Sequence, residues 1–283
     1  MFAELCCTSN FTFLRGASHP EEYVMRAHAL GYSGIGVTDE ASVSGAVRAH
    51  LASQTLNIPM VHGSRFRIDK QLELTFLASN RKAWGELGQL ISLARRRSSK
   101  GAYQLTRRDL IGHTDTLLCL WHPHPQALDW TSQIESLSYA FRGRFWIAAH
   151  LPESGHQADL AERIDLTAFE WNLPVVATQR PLMHIRQRLK LQHTLTAIRL
   201  GAPIIEIADQ LERSSERTLM DQHGLKQRYP STWLHESLNI LDRFNFSLSD
   251  LRYEYPKEIC PPQYDNEPVS YTHLRAHETF AKR

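Results

Sequence analysis

The feature that most restricts this chain is an alternation: short apolar, β-branched runs are separated by longer segments with helical spacing. Runs of strand character are Ala3–Cys7, Gly34–Val37, Pro59–Val61, Leu72–Leu77, Leu117–Trp121, Phe145–Ala149 and Pro174–Ala177. Ser18-His-Pro-Glu21 reads as a capping box with proline in the first turn of a helix that runs to Leu30, just before Gly31. Trp84, Leu87, Leu90, Ile91 and Ala94 share one face of a second helix over Arg81–Arg97, and a third covers Ala158–Trp171. Such alternation predicts an α/β fold with a mainly parallel sheet. A (β/α) barrel is favoured over an open sheet, because the chain has no Gly-rich phosphate loop and no G-x-G-x-x-G fingerprint. After about Gly201 the pattern changes. Gln210–Phe246 reads as helical, with Leu211, Leu219, Leu225, Trp233, Leu234, Leu238 and Leu241 as its apolar positions, and Leu251–Glu258 with Cys260-Pro-Pro-Gln263 reads as an extended exit segment.

Composition narrows the function classes. With 283 residues, 42% of them hydrophobic, the chain can bury a sizeable core. Lys and Arg number 32 against 30 Asp and Glu, so any nucleic-acid contact must come from local patches. One such patch is Arg95-Arg96-Arg97 with Lys100, Arg107 and Arg108; the competing reading is a helix C-terminus, where cations suit the macrodipole. The basic stretch His184–Lys190 is open to the same two readings. The four cysteines form no C-x-x-C pair, and Cys6 and Cys7 point to opposite faces of a strand, which fits a reducing compartment. The 15 histidines are scattered without ligand spacing; in His122-Pro-His124-Pro the prolines make a rigid loop. Trp84, Trp121, Trp146 and Trp171 read as core, Ser18 reads as a helix cap, and neither Ser9 nor Ser18 sits in a nucleophile elbow. No apolar run approaches the roughly 18 residues that span a bilayer, and the amino terminus lacks a signal-peptide pattern. The expectation is a cytoplasmic chain without a membrane partner.

In a parallel barrel, ligands collect at the C-terminal ends of the strands. Those ends here are Cys6-Cys7-Thr8-Ser9-Asn10, Thr38-Asp39-Glu40, His62-Gly-Ser-Arg65 and Thr178-Gln-Arg180-Pro-Leu182-Met-His184. A hydrolytic metal centre needs several His, Asp or Glu side chains there. Asp39 and Glu40 alone qualify cleanly, and two neighbouring carboxylates do not cage an ion.

The same residues carry a family resemblance. Glu4-Leu-Cys-Cys-Thr-Ser-Asn-Phe-Thr-Phe-Leu-Arg-Gly-Ala-Ser-His-Pro-Glu-Glu22 resembles the opening of the PHP (polymerase and histidinol phosphatase) domain of bacterial C-family DNA polymerases, above all their error-prone, damage-tolerant branch. Gly36-Val-Thr-Asp-Glu40, Lys100-Gly-Ala-Tyr-Gln-Leu105, Leu195-Thr-Ala-Ile-Arg-Leu200 and Leu251-Arg-Tyr-Glu-Tyr-Pro256 continue it in order. The resemblance implies a distorted (β/α) barrel of PHP type, followed by a helical C-terminal extension. It implies a barrel domain over 1–200, an extension over 201–262 leading toward a polymerase body, and a tail over 263–283. The tail's Pro268–Thr279 resembles a translated sequencing adapter more than the family and is expected to be non-native and disordered.

The departures from the family pattern are informative. Where metal-binding PHP domains open with His-x-His-Ser, this chain has Cys6 and Thr8. An acidic residue is replaced by Arg15, a glutamate by Arg65, and the Asp and first His of Gly-Asp-x-His-Met-His by Arg180 and Leu182. Arginine stays protonated and repels a divalent cation. Asp39, Glu40 and His184 remain, and are expected to partner the incoming guanidinium groups, for example Asp39 with Arg65 or Arg180. The resemblance therefore implies a fragment of a DNA-directed DNA polymerase active in translesion synthesis, the fragment serving as a scaffold with no catalytic residue and no metal of its own. The parent polymerase would use magnesium, and DNA and the polymerase body would be its partners. Two rival readings are an active PHP phosphoesterase or proofreading exonuclease, and a freestanding interaction module.

Overall fold

The structure, a computed structural model, describes residues 1–68, 72–127, 129–153, 156–212 and 216–251. The expected exit segment beyond Leu251, Cys260 and the 263–283 tail lie outside the described residues. Seven strands lie side by side in chain order: β1 (Ala3–Cys7), β2 (Gly34–Val37), β3 (Met60–Arg67), β4 (Glu73–Leu77), β5 (Leu118–His122), β6 (Phe145–Ala149) and β7 (Val175–Ala177). The sheet curls into a nearly closed barrel. Around it run α1 (Pro20–Ala29), α2 (Ala46–Leu56), α3 (Arg81–Arg96), α4 (Thr131–Ala140), α5 (Gln157–Trp171), α6 (Leu189–Leu200), α7 (Gln222–Arg228) and α8 (Ser231–Leu241).

The sheet corrects one expectation. Strands β1 to β3 and β5 to β7 run parallel, but β4 is antiparallel to both of its neighbours. The third strand continues past Val61 to Arg67 and turns back as a hairpin in which Arg67 pairs with Glu73 and Arg65 with Thr75. A parallel return needs a crossover of about a dozen residues or more, and only ten separate Val61 from Leu72.

Period-two alternation sorts the side chains into two cores. Phe66, Leu74, Phe76, Cys119, Trp121 and Ile147 pack outward under the helices. Leu5, Val61, Leu77, Leu120, Trp146 and Val176 fill the lumen together with Ile240 of α8. Burial of this apolar surface, worth about 25 cal/mol per Å², is the main stabilising contribution. Of the stretch after Gly201, expected as an extension, the described residues up to Leu248 belong to the same compact unit as the barrel, Met1–Leu248. Its last helix closes one end of the barrel: Ser237 Oγ accepts from the Ala3 N–H, and the Trp146 indole donates to Glu236. Leu241 lies so close to Gly34 that a Cβ there would come within 2.9 Å of it. Within Gln210–Phe246, read as helical, the described residues hold α7, started after Asp221, and α8, started after Pro230. Asp221 caps α7 by accepting from the Gly224 N–H.

The seam between β1 and β7 has no strand ladder, and a buried side chain stitches it. Glu4 accepts hydrogen bonds from Thr178 Oγ1, the Gln179 N–H and the Cys6 N–H at 2.6 to 2.9 Å. Burial raises the Glu4 carboxyl against the lowering effect of these donors.

Candidate functional site

Opposite α8, the open end of the barrel gathers the ends of the parallel strands. Because β4 runs backwards, its first residue also reaches this mouth. That residue is Glu73, which inspection of strand C-termini alone cannot find. It pairs with Arg180, with Arg65 at 3.7 Å and with Arg67 at 3.6 Å. Glu40 is a second hub, facing Arg15 at 3.4 Å and Arg65 at 3.5 Å and accepting from the Tyr103 hydroxyl at 2.9 Å. Arg65 is buried between the two carboxylates, and its backbone is tied to the Asp39–Ala41 turn by two hydrogen bonds.

The electrostatics follow from this crowding. Burial pushes the Glu73 carboxyl up, but Arg180 and Arg65 more than reverse it and hold it well below the ordinary carboxylate range. For Glu40 burial is likewise outweighed, by Arg65, Arg67 and Arg15, and its value falls. Burial depresses Arg180 to about 10 despite Glu73, with Arg217 and Arg65 adding to the depression; it still carries its charge at neutral pH. Beside them, burial pushes the Cys6 thiol up to about 12, so it offers no thiolate.

Of the residues singled out in the sequence, Arg15, Arg65, Arg180 and Leu182 do line one cleft. The expected partnership of Asp39 with an arginine is corrected. Asp39 accepts from the Ser9 N–H, the Ser9 hydroxyl and the Thr12 hydroxyl at 2.7 to 2.8 Å, and Glu73 and Glu40 take the guanidinium groups. These bonds fold the Ser9–Ala17 loop back on itself, where a Cβ at Gly16 would lie 2.1 Å from the Ser9 carbonyl oxygen. Thr8 Oγ1 is buried with no partner, while its backbone bonds the Pro181 carbonyl and the Tyr23 hydroxyl. His184 also departs from expectation: its Nδ1 meets the Ser18 hydroxyl at 2.7 Å and lies 3.8 Å from Glu22. Ser18 is therefore a brace between the first and last barrel loops, and the residue at the helix cap is His19, whose N–H donates to Glu22.

The basic run has mostly local duties. Arg95 donates to the carbonyls of Ala41, Glu40, Gly101 and Ala102 and stacks on Tyr103. Arg97 pairs with Asp109 at 2.7 Å, leaving Arg96 and Lys100 exposed. Trp121 and Trp146 are buried core, as read from the sequence; Trp84 and Trp171 are half-buried. His122 ends β5 and meets Thr75 Oγ1 at 2.8 Å.

The divalent ions that the PHP resemblance implies do not fit these donors. The guanidinium groups of Arg15, Arg65 and Arg180, which the resemblance puts at ligand positions, hold the acidic side chains Glu40 and Glu73 nearby. Among the described residues, no three His, Cys, Asp or Glu side chains converge as a metal set.

Fold and site together define a (β/α)-barrel domain that concentrates charge at the strand ends. A model of the PHP domain matches residues 4–161, over half of the chain, and the chain belongs to that family. It is 42% identical over 265 residues to the error-prone DNA polymerase of Methylococcus capsulatus, covering 93% of this chain and 25% of that one. To the error-prone DNA polymerase of Dechloromonas aromatica it is 43% identical over 267 residues, covering 92% and 26%. The chain thus spans about a quarter of the length of the curated relatives it matches. Among solved structures, an amidohydrolase from Chromobacterium violaceum aligns with a TM-score of 0.46 at 15% identity, over 63% of this chain and 86% of that one. Among the described residues, no helix is long and apolar enough to cross a membrane.

Proposed function

We propose that this chain is the amino-terminal PHP domain of an error-prone DNA polymerase acting in damage-tolerant synthesis in the cytoplasm. The domain serves as a scaffold for the polymerase body, and arginine–carboxylate pairs take the structural place of ions at its barrel mouth. The observation that carries this reading is the Arg180–Glu73–Arg65 cluster, set where a metal-dependent hydrolase needs ligands. The role of a support for further chain is favoured by the apolar side chains Ile198, Leu200, Ile204 and Ile205, all exposed around the end of α6.

Metal analysis of the purified chain, combined with hydrolysis assays on p-nitrophenyl phosphate and single-stranded DNA in added zinc or manganese, tests the reading. The expected result is substoichiometric metal and no turnover. About one tightly held ion per chain together with ester or DNA hydrolysis would overturn it in favour of a phosphoesterase or exonuclease. The chain is also expected to leave a primed template unextended.

A further inference from the structure

We propose that a cleft at the barrel end opposite the mouth binds a nucleotide, taking the base against aromatic walls and the phosphate on arginine. The cleft opens between the C-terminal ends of α4 and α5, beside the first residues of β6 and the proline before β7, and holds about 590 Å³. That volume falls within the roughly 300–1,000 Å³ of pockets that take small organic ligands.

Its walls are aromatic and its charges are of one sign. Tyr139, in the last turn of α4, is exposed, and Trp171, the last residue of α5, is half-buried; both line the cleft. An accessible aromatic ring stacks on the face of any base. Arg142 and Arg243 are the charged side chains of the described lining, and no carboxylate stands beside them there. Arg243 is fixed in place: its guanidinium lies 4.7 Å from the Trp146 ring centroid and donates Nη1 to the Gly143 carbonyl at 2.9 Å. Arg142 is exposed and, among the described residues, has no ion-pair or hydrogen-bond partner. The Trp171 indole N–H is buried without an acceptor, whereas a buried indole ordinarily finds one. A small shift of that ring toward the acceptors on a base edge would supply it.

A cation near a helix C-terminus also suits the macrodipole. Here that duty is already discharged. Arg144 donates to the Ala140 carbonyl at the end of α4, and the Asn172 and Leu173 N–H groups close the last turn of α5. Arg142 is left over for a ligand. Two arginines without an acid repel a cationic ligand and attract an anionic one, and a planar guanidinium meets phosphate oxygens in pairs. Bases in a duplex have both faces stacked, so the cleft selects one that is already unstacked. The source is either a free nucleotide or one unit of a single strand. The inference goes beyond the scaffold reading and does not rest on the mouth being metal-free.

The experiment is calorimetric titration of the full chain with a short oligothymidylate, an abasic strand of equal length, a duplex and thymidine monophosphate. Saturable binding of the oligothymidylate is expected, with quenching of tryptophan fluorescence and at least tenfold weaker binding of the abasic strand and the duplex. The abasic arm separates this cleft from the mouth, whose arginines would meet phosphates whatever the base. Tyr139→Ala is expected to weaken binding about tenfold, and Tyr139→Phe, which keeps the ring, to leave it unchanged. Arg142→Ala is expected to weaken it about tenfold and to lower the slope of log affinity against log salt by about 0.7. Both positions are exposed, so circular dichroism should show an intact fold. Monophosphate bound as tightly as the strand identifies a free nucleotide as the source; preference for the strand identifies single-stranded DNA. Equal binding of abasic and base-bearing strands, binding of neither nucleotide source, or affinity indifferent to Tyr139→Ala and Arg142→Ala in folded protein overturns the proposal.

Discussion

Arg180, in the loop after β7, pairs with Glu73, the first residue of β4, across the mouth of the barrel. The two are 107 residues apart in sequence. Glu73 simultaneously faces Arg65 and Arg67, so one carboxylate holds the ends of three barrel segments. Breaking a buried ion pair from one side leaves an uncompensated charge, and that cost exceeds what the intact pair contributes.

Glu73→Gln is therefore expected to lower unfolding free energy by about 3–5 kcal/mol, read from urea midpoints at neutral pH. Removing Glu73 and Arg180 together should cost less than the sum of the single changes. Additive losses would show that the two side chains act independently.

The same carboxylate has a pH signature. Its folded value lies below the ordinary 4.5, so its contribution is present above pH 4.5 and is lost as pH falls through the folded value. The stability gap between the wild-type chain and Glu73→Gln should narrow as pH is lowered from 7 toward 3. Glu4 and Asp39, whose values are raised by burial, are common to both proteins and cancel in the difference. A gap independent of pH would contradict the assignment.

His62 supplies a second pH effect at milder acidity. It is packed among His50, Trp84 and Phe246, and burial, with His50 adding, lowers it from 6.5 to about 4. A histidine buried neutral contributes stability above its unfolded value that is lost as pH falls toward the folded one. Between pH 6.5 and 4 this group should remove roughly 3 kcal/mol, because binding one extra proton in the unfolded chain is worth about 1.4 kcal/mol for every pH step of one. His62→Phe should flatten the stability profile in that window, whatever its effect at pH 7.5.

Glu4→Gln tests the barrel seam. The Cys6 and Gln179 N–H groups and the Thr178 hydroxyl all point at the carboxylate, and an amide NH₂ would turn a donor toward donors. A loss of about 1–3 kcal/mol is expected, with increased hydrogen exchange at Cys6 and Gln179. Unchanged exchange at those amides would mean that the seam is held elsewhere.

Ser18→Ala tests the brace between the first and last loops. The Ser18 hydroxyl faces His184 Nδ1 and accepts the His184 N–H, 166 residues away in sequence. Truncation should cost about 1–3 kcal/mol and shift the His184 ring resonances in NMR. Were Ser18 only a helix cap, the His184 signals would stay in place.

The strand and helix positions were legible in the sequence because hydrophobic periodicity is a local property. Phe145–Ala149 is the same strand in pattern and in structure, and the helix read as Arg81–Arg97 ends one residue earlier. The presence of Arg15, Arg65 and Arg180 at or near the strand ends was legible too, since it depends only on residue identity and the strand pattern. Which acid each arginine meets was not. Period-two patterning is blind to strand direction, so nothing in Leu72–Leu77 alone says that Glu73 stands at the mouth; the short connection from Val61 was the available signal. The closure of the lumen by α8, the Glu4 seam and the Ser18–His184 contact likewise join residues far apart in the chain. The sequence by itself determined the elements and the chemistry available at their ends. Only the tertiary structure decided the pairing, because ion pairs and seams are set by three-dimensional proximity, which a reversed strand or a returning helix changes without altering any local pattern.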